Sequence, residues 1–135
     1  MALLLWGPML EVGVKEIDTQ HRKLVDLANE LSDAQMAGKA KDVLGKTLSE
    51  LVRYTVTHFS TEERLMDQHK YPAAVDHKQQ HKDLVKTVSD FKAKFDKGDA
   101  ALSQEIMHFL RDWLTKHIMN TDKAFARDLI QKGVK

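Results

Sequence analysis

The chain has 135 residues, 42% of them apolar and 30% charged, with a formal net charge of +1 and no cysteine. That length suits one core rather than two, and the balanced charge gives no footing for nucleic acid or an anionic membrane as partner. Without cysteine, disulfides, iron–sulfur clusters, thiolate-bound haem and covalently attached c-type haem are excluded, and the expectation is a single cytoplasmic domain over residues 1–135.

The N-terminus, MALLLWGPML, is apolar but has no basic flank, is broken by Gly7-Pro8 and is too short to cross a bilayer. Residues 1–17 therefore read as an arm lying against the domain, anchored by Trp6 and by Met9 or Leu10, with no membrane insertion. Asp18 or Thr19 can cap a first helix that Gly38 ends. A second helix is expected from about Lys41 to the region of His69, with Tyr71-Pro72 closing the connection. Pro72 suits the first turn of a third helix, and Gly98 with Asp99 supplies the next stop and start. A fourth helix should run from about Ala100 to Met119, followed by a short tail helix from about Thr121 to Gln131. Alternating β-branched runs are absent. Long helices joined by short loops give an all-α fold, an antiparallel up-down-up-down four-helix bundle with an N-terminal arm and a short C-terminal helix.

Each helix carries its core residues at steps of three and four, which place them on one stripe. The first reads Ile17, His21, Leu24, Ala28, Leu31, and the second Leu44, Leu48, Leu51, Thr55, His58, Glu62, Leu65. The third reads His77, His81, Leu84, Val88, Phe91, Phe95, and the fourth Ile106, Leu110, Trp113, His117. Histidines thus fall on the apolar seam of every helix. Buried imidazoles and carboxylates need partners.

His21 lies near the start of the first helix, and His58 and Glu62 toward the end of the second. His77 and His81 open the third, and His117 closes the fourth. In an antiparallel bundle those positions meet at one end, while Leu31, Leu44, Leu48, Phe91, Phe95 and Ile106 fill the other. The pairs His58/Glu62 and His77/His81 are one turn apart and point the same way. Asp122 lies five residues beyond His117, about 140° away from it on a regular helix. It joins the layer only if the helix is distorted between Ile118 and Asp122, with a π-type turn or a break near Asn120-Thr121.

Imidazole and carboxylate without thiolate suit iron, manganese or zinc. Five histidines and two carboxylates are too many donors for one ion, so two ions are the economical reading. No single pair establishes this. An H-x-x-x-H arises readily among seven histidines, and His58 with Glu62 alone reads as an exposed helical pair. Their common phase and convergence at one end carry the inference. His108, nine residues before His117, faces the other side of its helix, and His69 lies by the Tyr71-Pro72 connection; neither is expected to be a ligand.

The set His21, His58-x-x-x-Glu62, His77-x-x-x-His81, His117-x-x-x-x-Asp122 resembles the haemerythrin signature. The arm from Val12-Gly13-Val14 through Ile17-Asp18-x-x-His21 is similar to that of the bacterial branch, the bacteriohaemerythrins, and the likeness spans essentially the whole chain. The resemblance implies that His77, His81 and His117 bind one iron, that His21 and His58 bind the other, and that Glu62 and Asp122 bridge both beside an oxo or hydroxo group. The first iron would then have six donors and the second five, leaving one position for dioxygen, held as a hydroperoxide and released reversibly. Leu24, Phe59, Trp113, Leu114 and Ile118 neighbour the ligands by helical spacing and are all apolar, so they are expected to form the oxygen pocket. Leu114 and Ile118 would gate oxygen entry and autoxidation.

Oxygen carriage or storage without enzymatic turnover is the favoured function. A di-iron oxidase, or an enzyme handling peroxide or nitric oxide, would call for more carboxylates than Glu62 and Asp122. A sensor role lacks an output domain in this sequence, and iron storage or a zinc-bound structural bundle has no supporting feature. A monomer whose small-molecule partner is dioxygen, delivered to an unidentified oxygen-consuming protein, completes the expectation.

Overall fold

A computed structural model describes residues 3–98 and 104–134, with side chains described for 3–98 and 106–134. A 3-10 turn, Pro8–Leu10, precedes the helices α1 (Lys15–Met36), α2 (Lys41–Gln68), α3 (Ala74–Lys97) and α4 (Gln104–Lys116). A π-helical segment, His117–Asp122, then passes directly into α5 (Lys123–Gln131). There is no strand among the described residues, and no described helix is long and apolar enough to cross a membrane. The expected restart at Asp99 and the start of the fourth helix at Ala100 lie outside the described residues.

Cross-helix pairs fix the directions. From α1 to α2 the chain pairs Glu16 with Arg64, Gln20 with Thr61 and Lys23 with Tyr54, one index rising as the other falls. Lys41 with Asp96 and Glu63 with His81 do the same for α2 and α3. His77 with Asp122 and His81 with His117 do so for α3 and the π segment. The helices form the expected four-helix bundle, and every neighbouring pair is antiparallel.

The apolar stripe is buried as the spacing requires. Ile17, Leu24, Ala28, Leu31, Leu48, Leu51, Leu65, Leu84, Phe95 and Leu110 lie in the core, whereas Leu44, Val88, Phe91, Ile106 and Trp113 are only half-buried. Each large apolar side chain taken from water contributes about 1.5–3 kcal/mol, so this stripe is the main source of stability.

Three expectations need correction. First, α1 begins at Lys15 after Val14, not at Asp18 or Thr19. The Asp18 carboxylate instead reaches back one turn and accepts the N–H groups of Val12 and Gly13 at 2.7 and 3.1 Å. It thereby ties the arm to the helix. Gly13 is required there, because its φ is +97° and a Cβ would meet Ile130 Cδ1 at 3.0 Å. Second, Pro72 lies in the turn before α3, a turn closed by Ala74 N–H donating to the Tyr71 carbonyl at 3.2 Å. Third, the expected short tail helix is α5, but it starts at Lys123 rather than about Thr121 and is joined to the fourth helix without a loop. The helix runs unbroken through the π segment from Gln104 to Gln131, because the wider turn absorbs the extra rotation without a break.

In the arm, Leu10 is buried and Met9 is 66% exposed, so Leu10 is the anchor of that pair, while Trp6 packs half-buried on the core. Asn29 holds the preceding strand of backbone by two 2.8 Å hydrogen bonds, accepting from Leu4 N–H and donating to Leu4 C=O. At the other end of the chain of helices, α3 stops at Gly98, whose left-handed φ of +82° caps the helix.

Candidate metal centre

The six residues singled out by phase, and Asp122 with them, are buried together at one end of the bundle. They form two groups of donors that overlap. One comprises Glu62, His77, His81, His117 and Asp122, the other His21, His58, Glu62 and Asp122, and within each the nearest donor atoms lie within 4.8 Å of one another. Glu62 and Asp122 belong to both. Regular helical spacing in α1, α2 and α3 delivers the first five residues. The π segment delivers the last two, since a turn closed by i→i+5 hydrogen bonds stacks His117 and Asp122 on one face. His108 is exposed and His69 half-buried, and neither belongs to a donor group.

Three outer residues fix the rings. His58 Nδ1 meets Gln20 Oε1 at 2.6 Å, His81 Nδ1 meets Glu63 Oε2 at 3.0 Å, and His117 Nδ1 meets Gln80 Oε1 at 3.0 Å. In each case an oxygen accepts, so the ring proton sits on Nδ1 and the bare Nε2 points inward. The sequence reading missed all three. Each is adjacent in sequence to a site residue but supports a ring on the next helix: Gln20 beside His21 reaches α2, Glu63 beside Glu62 reaches α3, and Gln80 beside His81 reaches the π segment. Polar acceptors flanking seam positions are the signal that could have found them.

With these tautomers set, the interior is short of donors: His77 Nε2 meets Asp122 Oδ1 at 2.9 Å, but most of the inward-facing atoms have no hydrogen-bond partner. His81 Nε2 and His117 Nε2 are 3.2 Å apart, and both are acceptors, so nothing bonds them. His21 Nε2 lies 2.9 Å from Asp122 Oδ2, close in distance yet out of line for a hydrogen bond. Both nitrogens of His21, His58 Nε2, both oxygens of Glu62, His77 Nδ1 and Asp122 Oδ2 are buried without a hydrogen-bond partner. Each such atom costs about 1–3 kcal/mol, so together they rival the about 5–15 kcal/mol that holds a whole domain folded. A cation among the inward-facing nitrogens and oxygens would relieve the cost of those atoms, and the donor set of imidazole and carboxylate fits iron.

Electrostatics point the same way. Burial pushes the His58 imidazole down to about 3, helped by the neighbouring His21, and burial pushes His81 down to about 2, helped by His77 and His117. Both are neutral at ordinary pH, as metal ligands must be. Burial and the neighbouring Asp122 carboxylate raise Glu62 well above the usual carboxylate range. Asp122 is also buried, which alone would raise it, but the imidazoles of His117, His21 and His77 close around it outweigh that and hold it well below the usual range. Two carboxylates so close are mutually unfavourable without positive charge between them.

The five apolar neighbours are placed unevenly. Leu24, Phe59, Leu114 and Ile118 are buried and Trp113 is half-buried. Phe59 stacks on His81 at 3.7 Å with the ring planes 3° apart, and Trp113 stacks on His117 at 4.4 Å and 13°. These two aromatics therefore cover rings of the three-histidine group. Leu114 and Trp113 also wall a small apolar cavity of about 20 Å³ with Leu48, Leu51, Val52, Thr55, Leu84, Val88 and Leu110. The Thr55 hydroxyl donates to the Leu51 carbonyl at 2.7 Å, so that hydroxyl is satisfied by its own helix.

Comparison with known proteins gives this arrangement a family. Residues 12–129 match the model of the "Hemerythrin HHE cation binding domain". The bacteriohemerythrin of Methylococcus capsulatus is 36% identical over 127 residues, which is 93% of this chain and 96% of that protein. The bacteriohemerythrin of Stenotrophomonas maltophilia is 36% identical over 126 residues, 93% of this chain and 81% of that protein. Myohemerythrin-1 of Phascolopsis gouldii is 33% identical and covers 92% of each chain. A solved structure of wild-type hemerythrin superposes with a TM-score of 0.90 at 35% identity, over 95% of this chain and 98% of that one.

Proposed function

Because the chain belongs to the haemerythrin family, we propose that it binds dioxygen reversibly at a pair of irons, as a carrier or store rather than as an enzyme. The observation that carries this reading is the overlap of two donor groups through Glu62 and Asp122. On this reading His77, His81 and His117 would hold one iron and His21 and His58 the other, with Glu62 and Asp122 contributing to both. An iron pair held there would supply the two electrons that reversible dioxygen binding calls for and regain them on release.

The chain's own residues account for the choice of binding over turnover. Three imidazoles against two leave the His21–His58 side one donor short, and that is the side where a small ligand has room to add. Only Glu62 and Asp122 bring negative charge inside the centre, which gives little support to highly oxidised metal. Leu24, Leu114 and Ile118 exclude water and offer no proton, so a reduced oxygen species has no nearby acid to help it leave. Gln20, Glu63 and Gln80 keep the imidazoles oriented, and burial keeps His58 and His81 neutral.

The test is repeated cycling of the reduced, iron-loaded protein between air and argon under visible spectroscopy. Colour that appears with oxygen and leaves under argon over many cycles supports carriage. Colour that decays after one exposure, with oxygen consumed, assigns the chain to the oxidases instead.

A further inference from the structure

The three outer residues that hold the rings differ in charge, and the difference falls on one side of the centre. On the His21–His58 side, the outer contact is the neutral amide of Gln20, and His21 Nδ1 has no hydrogen-bond partner. On the three-histidine side, His117 meets the neutral amide of Gln80 and His77 Nδ1 is unpaired, but His81 Nδ1 meets the carboxylate of Glu63 at 3.0 Å. Among the described residues, Glu63 is the one charged group that hydrogen-bonds a ring from outside.

From this asymmetry we infer that Glu63 is a positioning residue that sets the order in which the two irons are oxidised. Acting through His81, it makes the three-histidine iron the easier of the two to oxidise. The inference rests on the di-iron reading above. An imidazole that donates its Nδ1 proton to a carboxylate becomes a more basic ligand at Nε2 than one donating to an amide. A more basic ligand favours the higher charge on its metal, so the potential of that iron falls relative to its neighbour.

The surroundings of Glu63 suit the role. Its side chain is 34% exposed at the surface, and one of its oxygens reaches the buried ring. It opens onto a surface groove that includes Ser60, Lys82 and Lys86. The parallel stack of Phe59 on His81 fixes the plane of the imidazole, so Nδ1 is aimed at Glu63 rather than swinging into that groove. His81 is thus clamped from two directions, by an apolar face and by a charge.

Two substitutions separate charge from shape. Glu63→Gln keeps an acceptor for His81 and removes the charge, while Gln20→Glu places a charge on the His58 side. In the iron-loaded protein, a spectroelectrochemical titration should resolve two one-electron steps. Glu63→Gln should move the lower step to more positive potential and narrow the gap, and Gln20→Glu should narrow it by lowering the other step. A second readout needs no iron: ¹⁵N NMR of the metal-free chain should find the His81 proton on Nδ1 in the wild type and in Glu63→Gln, and spread over both nitrogens in Glu63→Ala. An intact iron pair whose potentials do not move in Glu63→Gln, or a wild-type His81 protonated on Nε2, overturns the inference alone. A wild-type chain that loads no iron pair overturns the reading beneath it and this inference with it.

Discussion

At one end of the bundle Leu31, Leu48 and Phe95 are buried against one another, with Leu44, Phe91 and Ile106 half-covered around them. At the other end the same stripes of the same helices carry His21, His58, Glu62, His77, His81 and His117, all buried, with Asp122 beside them. The first end needs nothing added, since burial of apolar surface is its own stabilisation. The second is buried just as deeply but leaves several polar atoms without a hydrogen-bond partner. One layer is completed by packing and the other by what binds in it, so changes of condition should separate the two.

Metal removal should separate them most. A ligand present at about a thousand times its dissociation constant stabilises the folded state by about 4 kcal/mol. Chelation should therefore lower the melting temperature by many degrees. Amide hydrogen exchange should rise around His58, His77 and the π segment while Leu31 and Leu48 stay protected. Uniform loss of protection along the helices would mean that the two ends do not behave as distinct regions.

Leu31→Ala attacks the other end. It should cost about 2–5 kcal/mol, the usual range for truncating a buried leucine, in the loaded and metal-free forms alike. Iron content per chain should not change. Loss of metal in this variant would couple the two ends.

Acid should act on the polar end of the metal-free protein. His58 and His81 are held at about 3 and about 2 by burial, whereas an unfolded histidine titrates near about 6.5. Below about 6.5 the unfolded chain takes up protons that these folded histidines refuse, so stability falls with pH, by about 1.4 kcal/mol per unit for each such proton. Glu62, held above its usual range, works in the opposite sense with one proton against two. Denaturant titrations at pH 7 and pH 5.5 should therefore find the metal-free form weaker at the lower pH, and equal midpoints would contradict the assignment of two neutral buried imidazoles.

Leu114→Ala should have the smallest effect in free energy. By opening the apolar wall to water it should speed autoxidation of the oxygenated protein by up to about tenfold, or about 1.4 kcal/mol in barrier. An unchanged decay rate would remove Leu114 as a gate.

The sequence made the gathering of the seven polar residues legible because their phase is that of the leucines around them. Even the π segment could be anticipated, since Asp122 cannot share a face with His117 on a regular helix and the core must nonetheless bury it. Features that depend on another element were not legible. Asp18 reads as a local cap, yet its carboxylate is drawn to Val12 and Gly13 by an arm whose path no periodicity encodes. Gln20, Glu63 and Gln80 lie off the seam of their own helices and act on rings one helix away, so only the register between helices reveals them. The continuity from α4 to α5 was hidden for a related reason. A five-residue gap is met equally by a break or a wider turn, and hydrogen bonding to the backbone favours the turn.

The most direct test of the two-ion centre is the iron content of the chain after anaerobic loading and removal of loosely bound metal, measured for the wild type and for His21→Ala. Two irons per chain in the wild type, reduced in His21→Ala while the three-histidine side retains its own, is the predicted result. One iron per chain in both, or zinc taken in preference to iron, would contradict a centre in which Glu62 and Asp122 are shared between two irons.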